Sequence, residues 1–414
     1  MIRKLFTVFL VAACLWTMFP TATSHAVSAS DWNAGRIIDN NVFFNNNSMA
    51  TADIQNFLNS QVPTCDTWGQ QTYSSTQTRA QRGASKGYNA PYVCLKDYQE
   101  NPTTHETNLA TAGSVNGGWS AAQIIKYAAD TYGVSPKALI VLLQKEQSIV
   151  TDDWPWSSQY RSATGYGCPD TAPCDAEYYG FYNQVTNAAA AFKRYAANPQ
   201  NYRYKANQNN DILYNPSSSC GSSSVYLQNQ ATTGLYIYTP YQPNQAALNN
   251  LYGTGDACSA YGNRNFWRMY NDWFGPSWFD YGADYISANG YTDATKTTDF
   301  PANSMVSGQR MYMVLKFKNT GNQVWHNSGT GAVRVAVVGS ASAFCDPTWL
   351  SCQRPAEMKE ATVNPGETAT FEFWYKAPTV TSDTSYMTRF GVVSETVASM
   401  TGTQQIQTTT VKKP

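Results

Sequence analysis

The sequence predicts two kinds of domain in one chain of 414 residues, a mainly α-helical domain followed by an all-β sandwich. Between residues 119 and 278, apolar residues recur at helical spacing and the predicted helices have start and stop signals. From residue 308 to residue 414, short runs of alternating apolar and polar residues are separated by turn signals. We therefore predict a helical domain at 119–278, a linker at 279–307 and a β-sandwich at 308–414.

The first 26 residues are typical of a secretory signal peptide. The basic start Met1-Ile2-Arg3-Lys4 is followed by an apolar run from Leu5 to Phe19 and by Ser24-His25-Ala26. That run is short for a membrane span, and no later run is long enough. We expect a secreted or cell-surface protein without a membrane span in the mature chain, and an uncleaved anchor is the alternative. Residues 27–118 then form a polar N-terminal region.

The composition narrows the functional classes. The formal net charge is zero and only 14% of residues are charged, so the basic surface needed for nucleic acid is not predicted. Aromatic residues make up 14%, which suits carbohydrate binding but is also common in secreted proteins. The histidines are His25, His105 and His326, which disfavours catalysis that needs a histidine beside a nucleophile. Carboxylate chemistry is not disfavoured.

Eight cysteines follow the predicted signal peptide, and an even number in a secreted chain predicts disulfides. Zinc binding is the alternative, but the chain has no Cys-x-x-Cys pair and almost no histidine. We predict no metal and no cofactor. The simplest connectivity joins sequence neighbours: Cys65–Cys94, Cys168–Cys174, Cys220–Cys258 and Cys345–Cys352.

Two consecutive helices are the best-defined part of the helical domain. The first runs from Trp119 to Gly133, with Ser120 as its cap, and the second begins at Ser135-Pro136. Further helices are predicted near 49–59, 179–197, 244–252 and 263–274. The segments 73–88 and 207–234 are predicted as polar loops, and 236–241 as an extended segment.

Glu146 lies near the end of the second helix of this pair. It shares one helical face with Leu139, Leu142, Leu143 and Val150. A carboxylate in an apolar stripe must be paired, neutral or functional, and a general acid for glycoside cleavage has this character. The alternative is a glutamate at a helix end that reaches solvent or pairs with a lysine or arginine.

The C-terminal strands are predicted from period-2 alternation at 311–318, 333–338 and 368–375. Turn signals at 319–322 and 364–367 separate them. Several short strands in this arrangement indicate a β-sandwich.

The helical pair resembles a known superfamily. The stretch from Lys126 to Ile140, followed by Gln144-Lys145-Glu146-Gln147-Ser148, is similar to the core of the lysozyme-like superfamily, over roughly residues 119–275. Lytic transglycosylases and bacterial glucosaminidases of that superfamily have their catalytic glutamate where Glu146 stands. The chain departs from them at Gln147, because serine usually follows the glutamate directly, and their Gly-Leu-Met-Gln signature is absent.

This resemblance implies a peptidoglycan-cleaving glycosidase with Glu146 as catalytic residue. The candidates for a second carboxylate are Asp152, Asp153 and Glu177, each of which could instead be a solvated loop residue. The candidates for binding sugar hydroxyls and N-acetyl groups are Tyr166, Asn183, Gln184, Tyr236 and Tyr238.

The C-terminal domain resembles a second family. The stretch from Leu315 to Trp325, with 363–369 and Ala377-Pro378, is similar to the immunoglobulin-like domain with a four-tryptophan signature. In that family the domain is a binding or spacer module, so the resemblance implies no catalytic role.

Three functions therefore compete. The first is a secreted peptidoglycan-cleaving glycosidase that uses a single glutamate, either a lytic transglycosylase or a glucosaminidase. The second is a non-catalytic adhesin that binds cell-wall or other surface glycans through the same cleft, and the third is a structural surface protein. The expected partner is peptidoglycan or another surface glycan, and the sequence predicts no particular oligomeric state.

Overall fold

The computed structural model describes residues 27–102, 118–169 and 172–414. The chain divides into two compact units, which meet in sequence at Ser277 and Trp278. The predicted signal peptide lies outside the described residues. Within the described part of the chain, no helix is long and apolar enough to cross a membrane.

The N-terminal unit is mainly helical. Its helices are α1 (Asn40–Phe43), α2 (Thr51–Gln61), α3 (Arg79–Ala84), α4 (Ala121–Tyr132), α5 (Pro136–Gln147), α6 (Ser157–Arg161), α7 (Phe181–Ala197), α8 (Gln230–Tyr238), α9 (Gln245–Asn249) and α10 (Gly262–Phe274). Its short strands form three antiparallel pairs: β1 (Thr72–Ser74) with β2 (Gln77–Thr78), β3 (Gln99–Glu100) with β4 (Trp119–Ser120), and β5 (Gln208–Leu213) with β6 (Ser222–Leu227).

The predicted helical pair is confirmed. The Ser120 hydroxyl accepts a hydrogen bond from the backbone N–H of Gln123 and so caps α4, which ends at Gly133 in the left-handed conformation, φ 69°. After this turn, Pro136 occupies the first turn of α5. The two helices pack against each other, and α5 also packs against α10. The predicted helices near 49–59, 179–197, 244–252 and 263–274 correspond to α2, α7, α9 and α10.

The polar N-terminal region is part of the helical unit rather than a separate one. Phe43 packs against Phe192 of α7 and Phe266 of α10, with ring centroids 4.9 and 6.3 Å away. The Phe43 carbonyl also accepts the backbone N–H of Ser135, at 2.7 Å. The few apolar residues of this region therefore complete a core that the α4–α5 pair does not close by itself.

Three predicted loops or extended segments of this unit have regular structure instead. The loop prediction for 73–88 is wrong, because β1, β2 and α3 occupy it, and Thr78 and Gln81 form a reciprocal capping box. The prediction for 207–234 is wrong because β5 and β6 form a polar hairpin. The extended segment at 236–241 was expected because its residues favour strands, but it begins with the end of α8, a helix buried along most of its length.

The C-terminal unit contains two β-sheets. The strands are β7 (Ala283–Tyr291), β8 (Ser304–Val306), β9 (Arg310–Asn319), β10 (Trp325–His326), β11 (Val333–Val337), β12 (Ala356–Glu357), β13 (Thr362–Val363), β14 (Thr368–Lys376), β15 (Thr384–Ser394), β16 (Ala398–Ser399) and β17 (Gln405–Lys412). One sheet has the order β12-β11-β15-β17-β8, with β16 paired to β15, and the other has the order β14-β9-β7. A short ladder joins β10 to β13.

Both sheets contribute to one apolar core. Leu315 and Phe317 from β9, Phe371 from β14 and Phe390 from β15 are all fully buried in it. In β14 buried and partly exposed residues alternate strictly, as predicted for a strand with one face on a core. The predicted strands at 311–318, 333–338 and 368–375 are thus confirmed as β9, β11 and β14.

The prediction of a linker at 279–307 is corrected by the structure, because most of this segment belongs to the β-unit. Strand β7 pairs with β9 along its whole length, and β8 pairs in parallel with β17. A register shift between Tyr285 and Ser287 interrupts the alternation of side chains in β7. Because of this irregularity, the residues of β7 do not show the period-2 alternation by which a strand is predicted.

All four predicted disulfides are confirmed: Cys65–Cys94, Cys168–Cys174, Cys220–Cys258 and Cys345–Cys352. Each one closes a loop between sequence neighbours, which restricts the unfolded chain and so stabilises the fold.

Candidate active site

Glu146 lies on the last turn of α5, at the end of its apolar stripe. Leu139, Leu142 and Leu143 are buried, whereas the Glu146 side chain is 26% exposed. The helix ends at Ser148 in the left-handed conformation, φ 55°. The stripe therefore anchors the helix in the core and presents the carboxylate at its margin.

The Glu146 carboxylate has two different neighbours. Its Oε1 lies 2.9 Å from the Nζ of Lys145, whose side chain is only 4% exposed. The Lys145 ammonium also donates to the Thr239 hydroxyl at 2.7 Å and lies 5.6 Å from the centre of the Tyr238 ring. On the other side, a Cβ placed on Gly165 would be 3.3 Å from Oε2. One oxygen therefore pairs with a lysine, as the alternative interpretation of the sequence expected, and the other faces the Gly165 loop.

Gln184 holds the loop that carries Gly165. Its side chain is fully buried, and its Oε1 accepts the backbone N–H groups of Thr164 at 3.2 Å and Tyr166 at 3.1 Å. Its Nε2 donates to the carbonyls of Tyr166 and Tyr178 at 2.9 and 2.7 Å. Gln184 was predicted to bind sugar, but its amide is committed to this loop. Gly165 has φ +69°, a conformation that glycine adopts without strain.

Tyr238 belongs to the group around Glu146. Its hydroxyl donates to the Thr164 carbonyl at 2.8 Å, and its ring stacks on Phe192 with centroids 5.1 Å apart. Burial, and then the negative charge of Glu146, raise the pKa of Tyr238 well above its usual value. Tyr238 therefore stays a neutral hydrogen-bonding group at any physiological pH.

Tyr236 and Asn183 do not reach this group. Tyr236 is two residues from Tyr238 on the same helix, so it points to a different face. It is fully buried and its hydroxyl donates to the Ala34 carbonyl at 3.0 Å, and burial raises its pKa. Asn183 is nearly buried and donates to the Tyr179 carbonyl at 2.9 Å. Both have structural roles.

A cleft of about 270 Å³ lies beside the Gly165 loop. Tyr166 lines it, and the Tyr166 hydroxyl accepts a hydrogen bond from the Arg194 guanidinium at 2.9 Å. Tyr195 also lines the cleft, and burial raises its pKa to about 12. Cys168, which forms a disulfide with Cys174, lines one side of the cleft. The full lining is Gly165, Tyr166, Gly167, Cys168, Pro169, Tyr195, Ile237 and Tyr238.

Of the three candidates for a second carboxylate, two are bound by other groups of the protein and one is exposed on the surface. Asp152 accepts the Trp154 N–H at 2.8 Å and the Gln159 side chain at 2.9 Å. Asp153 pairs with Arg79 at 2.9 Å. Glu177 is exposed on a short 3₁₀ turn. Among the described residues that line the cleft, none is an aspartate or a glutamate.

Sequence reasoning missed four residues that the fold brings to this site. Lys145 and Thr239 contact one another beside Glu146, and Arg194 and Tyr195 border the cleft. Lys145 could have been noticed as the immediate neighbour of Glu146. The other three come from α7 and the end of α8, and no local sequence signal connects those elements to α5.

Comparison with known protein families assigns the chain to one of them. A family model described as the LasA N-terminal domain matches residues 36–287. This chain belongs to the LasA N-terminal domain family. LasA is a secreted bacterial peptidase with staphylolytic activity. No curated protein matches the chain.

The LasA N-terminal match covers every site residue discussed above and ends inside β7. It concerns the N-terminal domain of LasA, so it establishes a family and does not by itself identify a reaction. Among the described residues, no group of three or more His, Cys, Asp or Glu side chains is placed to hold a metal ion.

Proposed function

We propose that this protein is a secreted glycosidase that cleaves peptidoglycan, with Glu146 as general acid and base. The strongest support is the position of Glu146, whose Oε2 faces the Gly165 loop beside a cleft lined by tyrosines. Tyrosine rings and hydroxyls suit sugar rings and their polar substituents. Membership in a family named after a staphylolytic enzyme supports a cell-wall substrate.

In the proposed reaction, the protonated carboxyl of Glu146 gives its proton to the oxygen that links two amino sugars. The bond from that oxygen to C1 then breaks. The 6-hydroxyl of the same sugar attacks C1 and returns a proton to the Glu146 carboxylate, so the products are a free sugar end and an anhydro sugar. Asp152 and Asp153 are bound by other side chains and Glu177 is exposed on a 3₁₀ turn, which favours this one-carboxylate route over hydrolysis, a reaction that normally uses two carboxylates.

The surroundings of Glu146 orient its carboxylate. The Lys145 ammonium binds Oε1, which leaves Oε2 as the oxygen for proton transfer. The Tyr238 hydroxyl donates to the Thr164 carbonyl, which ties the end of α8 to the loop that carries Gly165. Glu146 lies at the end of a helix anchored in the core, which favours a defined geometry.

The test is to incubate the mature chain with purified cell walls and to analyse soluble products by mass spectrometry. Wild type should release muropeptides with anhydro ends, and Glu146→Gln should lower the rate by about 10²–10⁴-fold while wall binding is retained. Glu357→Gln, which changes a glutamate of the β-unit that is exposed and pairs with Arg334, is the matched control. Reducing-end products, together with a loss in Glu177→Gln, would instead assign hydrolysis with a second carboxylate.

A second candidate is a glycan-binding adhesin without turnover. The observation that favours it is the Lys145–Glu146 pair, because a carboxylate neutralised by an ammonium can be purely structural. This function predicts that wild type sediments with cell walls, releases no sugar product, and binds equally well with Glu146→Gln. If the protein neither cleaves nor binds walls, both functions are wrong.

A further inference from the structure

A groove of about 420 Å³ lies in the C-terminal unit, between β15 and the loop 338–344. Strand β11 pairs with β15 only as far as Val337 opposite Phe390. Gly339 then has φ +93°, a turn that leads the chain away from β15. Strand β15 continues to Thr384, so its first residues lose their neighbour on this side.

The backbone of β15 is open toward this groove. The Val338 N–H donates to the Arg389 carbonyl at 2.8 Å. The backbone N–H and carbonyl of Arg389 therefore point toward β11. Because backbone groups alternate along a strand, those of Met387 point to the same side. Among the described residues, neither its N–H nor its carbonyl has a hydrogen-bond partner there. An unpaired strand edge of this kind can accept another strand.

The far wall of the groove is held in place. The Cys345–Cys352 disulfide anchors the residue that directly follows this loop, the Ser342 N–H donates to the Cys352 carbonyl at 3.2 Å, and the Phe344 N–H donates to the Ser342 hydroxyl at 3.1 Å. Phe344 itself is buried against Tyr375, with stacked rings 4.2 Å apart. These contacts hold the far wall in place, and the Ser342 and Thr388 hydroxyls, 3.4 Å apart, link it to β15.

The chemistry of the groove points to an acidic extended chain. Arg389 is the only charged residue in the lining, it is exposed, and within the described structure its guanidinium has no ion-pair partner. The exposed side chains of Met387 and Val338, 63% and 41% exposed, supply apolar contacts beside it. A carboxylate opposite Arg389 would form a charge-assisted hydrogen bond.

We propose that this groove binds an extended acidic peptide segment of a partner protein by strand addition to β15. The backbone of the peptide pairs with the N–H and carbonyl of Met387, and one of its carboxylates pairs with Arg389. The proposal is independent of the reaction at Glu146, because it concerns only residues of the C-terminal unit.

The test uses the full mature chain and a fluorescein-labelled peptide, Thr-Val-Glu-Val-Thr-Ser, in fluorescence polarisation. A lysine-for-glutamate version of the peptide is the charge control. The acidic peptide should bind and the basic one should not. Arg389→Ala should weaken binding about tenfold, whereas Lys318→Ala, which removes an exposed lysine from the other sheet, should leave it unchanged.

A second measurement reports on the backbone. Met387→Pro removes the N–H that pairs with the peptide, so binding should be lost while circular dichroism still shows the fold. If this variant does not fold, hydrogen exchange of the wild type decides instead, because residues 384–389 should become protected when the acidic peptide is added. Equal binding of both peptides, no binding of either, or protection caused by dimerisation of the chain in sedimentation would overturn the proposal.

Discussion

At the scale of single residues, one carboxylate oxygen of Glu146 forms an ion pair with a lysine that is almost completely buried. Lys145 bonds to both Glu146 and Thr239, so it ties the end of α5 to the end of α8. This arrangement fixes the direction of the carboxylate. Lys145 is therefore a candidate positioning residue, because it acts through Glu146 and does not line the cleft.

Lys145→Met tests that role. The apolar side chain fits the buried site but cannot bind the carboxylate, so the geometry of Glu146 should relax. We expect kcat for wall cleavage to fall about 10–100-fold, equivalent to roughly 1.4–2.8 kcal/mol, with little change in KM. The melting temperature should change little, and Lys145→Arg should restore part of the rate. A variant with wild-type kcat would show that the ion pair has no functional role.

Asp346 makes a pH-dependent contribution to the free energy of unfolding. Its carboxylate is fully buried and binds Arg310 through two hydrogen bonds of 2.7 and 2.9 Å. Burial alone would raise the pKa of Asp346, but the Thr348 N–H and the Arg310 guanidinium outweigh it and hold that pKa below its usual value. The pair therefore contributes stability above the unfolded-state pKa, near 4, and this contribution is lost as the pH falls through the folded-state value.

We accordingly expect Asp346→Asn to lower the unfolding free energy of the C-terminal unit by about 1–3 kcal/mol at pH 7. The difference from wild type should shrink below about pH 4, because the wild-type carboxyl is then protonated. Hydrogen exchange of peptides from β9 and β14 measures this unit separately. A difference that stays constant from pH 7 to pH 3 would contradict the assignment.

At the scale of elements, the site depends on how α7 holds the Gly165 loop. Gln184 satisfies two backbone N–H groups and one carbonyl of the loop around Gly165, and also the carbonyl of Tyr178 at the end of a short 3₁₀ turn. Buried backbone groups must be paired, so this single side chain supplies the hydrogen bonds that a neighbouring strand or helix would otherwise provide. Its fully buried position explains why it cannot also bind a sugar.

Gln184→Ala should therefore cost about 2–4 kcal/mol of stability, because it leaves buried backbone groups without partners. Wall cleavage should fall as well, since Gly165 and Tyr166 are no longer fixed. Asn187→Ala on the same helix removes only a bond to the Asn183 carbonyl and should cost about 0.5 kcal/mol or less. Urea unfolding measures both variants, and similar losses for the two would argue against the role given to Gln184.

Elements with strong local signals were predictable. The cap at Ser120, the stop at Gly133 and Pro136 at the start of α5 define α4 and α5 without tertiary information. The end of α8 was not predictable in the same way, because Tyr236 and its neighbours favour strands by intrinsic propensity. Burial on most sides overrides that preference in the structure. The capping pairs Thr78–Gln81 and Asn229–Thr232 were local signals that went unused.

At the scale of the whole molecule, the chain consists of two units with separate cores. Three disulfides lie in the helical unit and one in the β-unit. The Glu146 site uses only residues of the first unit, and the groove beside β15 uses only residues of the second. Catalysis and peptide binding are thus separable in this proposal.

A chain of residues 27–277 should fold alone and retain wall cleavage within about twofold of the full chain, because it contains the whole helical core and three disulfides. Circular dichroism and the wall-cleavage assay check this expectation. The matched variant Glu146→Gln in the same short chain is the control for background activity. A fragment that does not fold would show that the first unit needs the second for stability.

The residue pattern alone is enough to predict the order of the two fold classes, the α4–α5 pair and the place of Glu146 at its end, and it offers pairing between sequence neighbours as the simplest disulfide connectivity. These features depend on local spacing, capping and alternation. The residues that meet Glu146 depend on how distant helices pack. Lys145, Thr239, Tyr238 and the Gly165 loop come together because α5, α7 and α8 pack on one core. The roles of Gln184 and Tyr236 were decided in the same way, because burial commits their polar groups to the backbone and leaves none for a ligand.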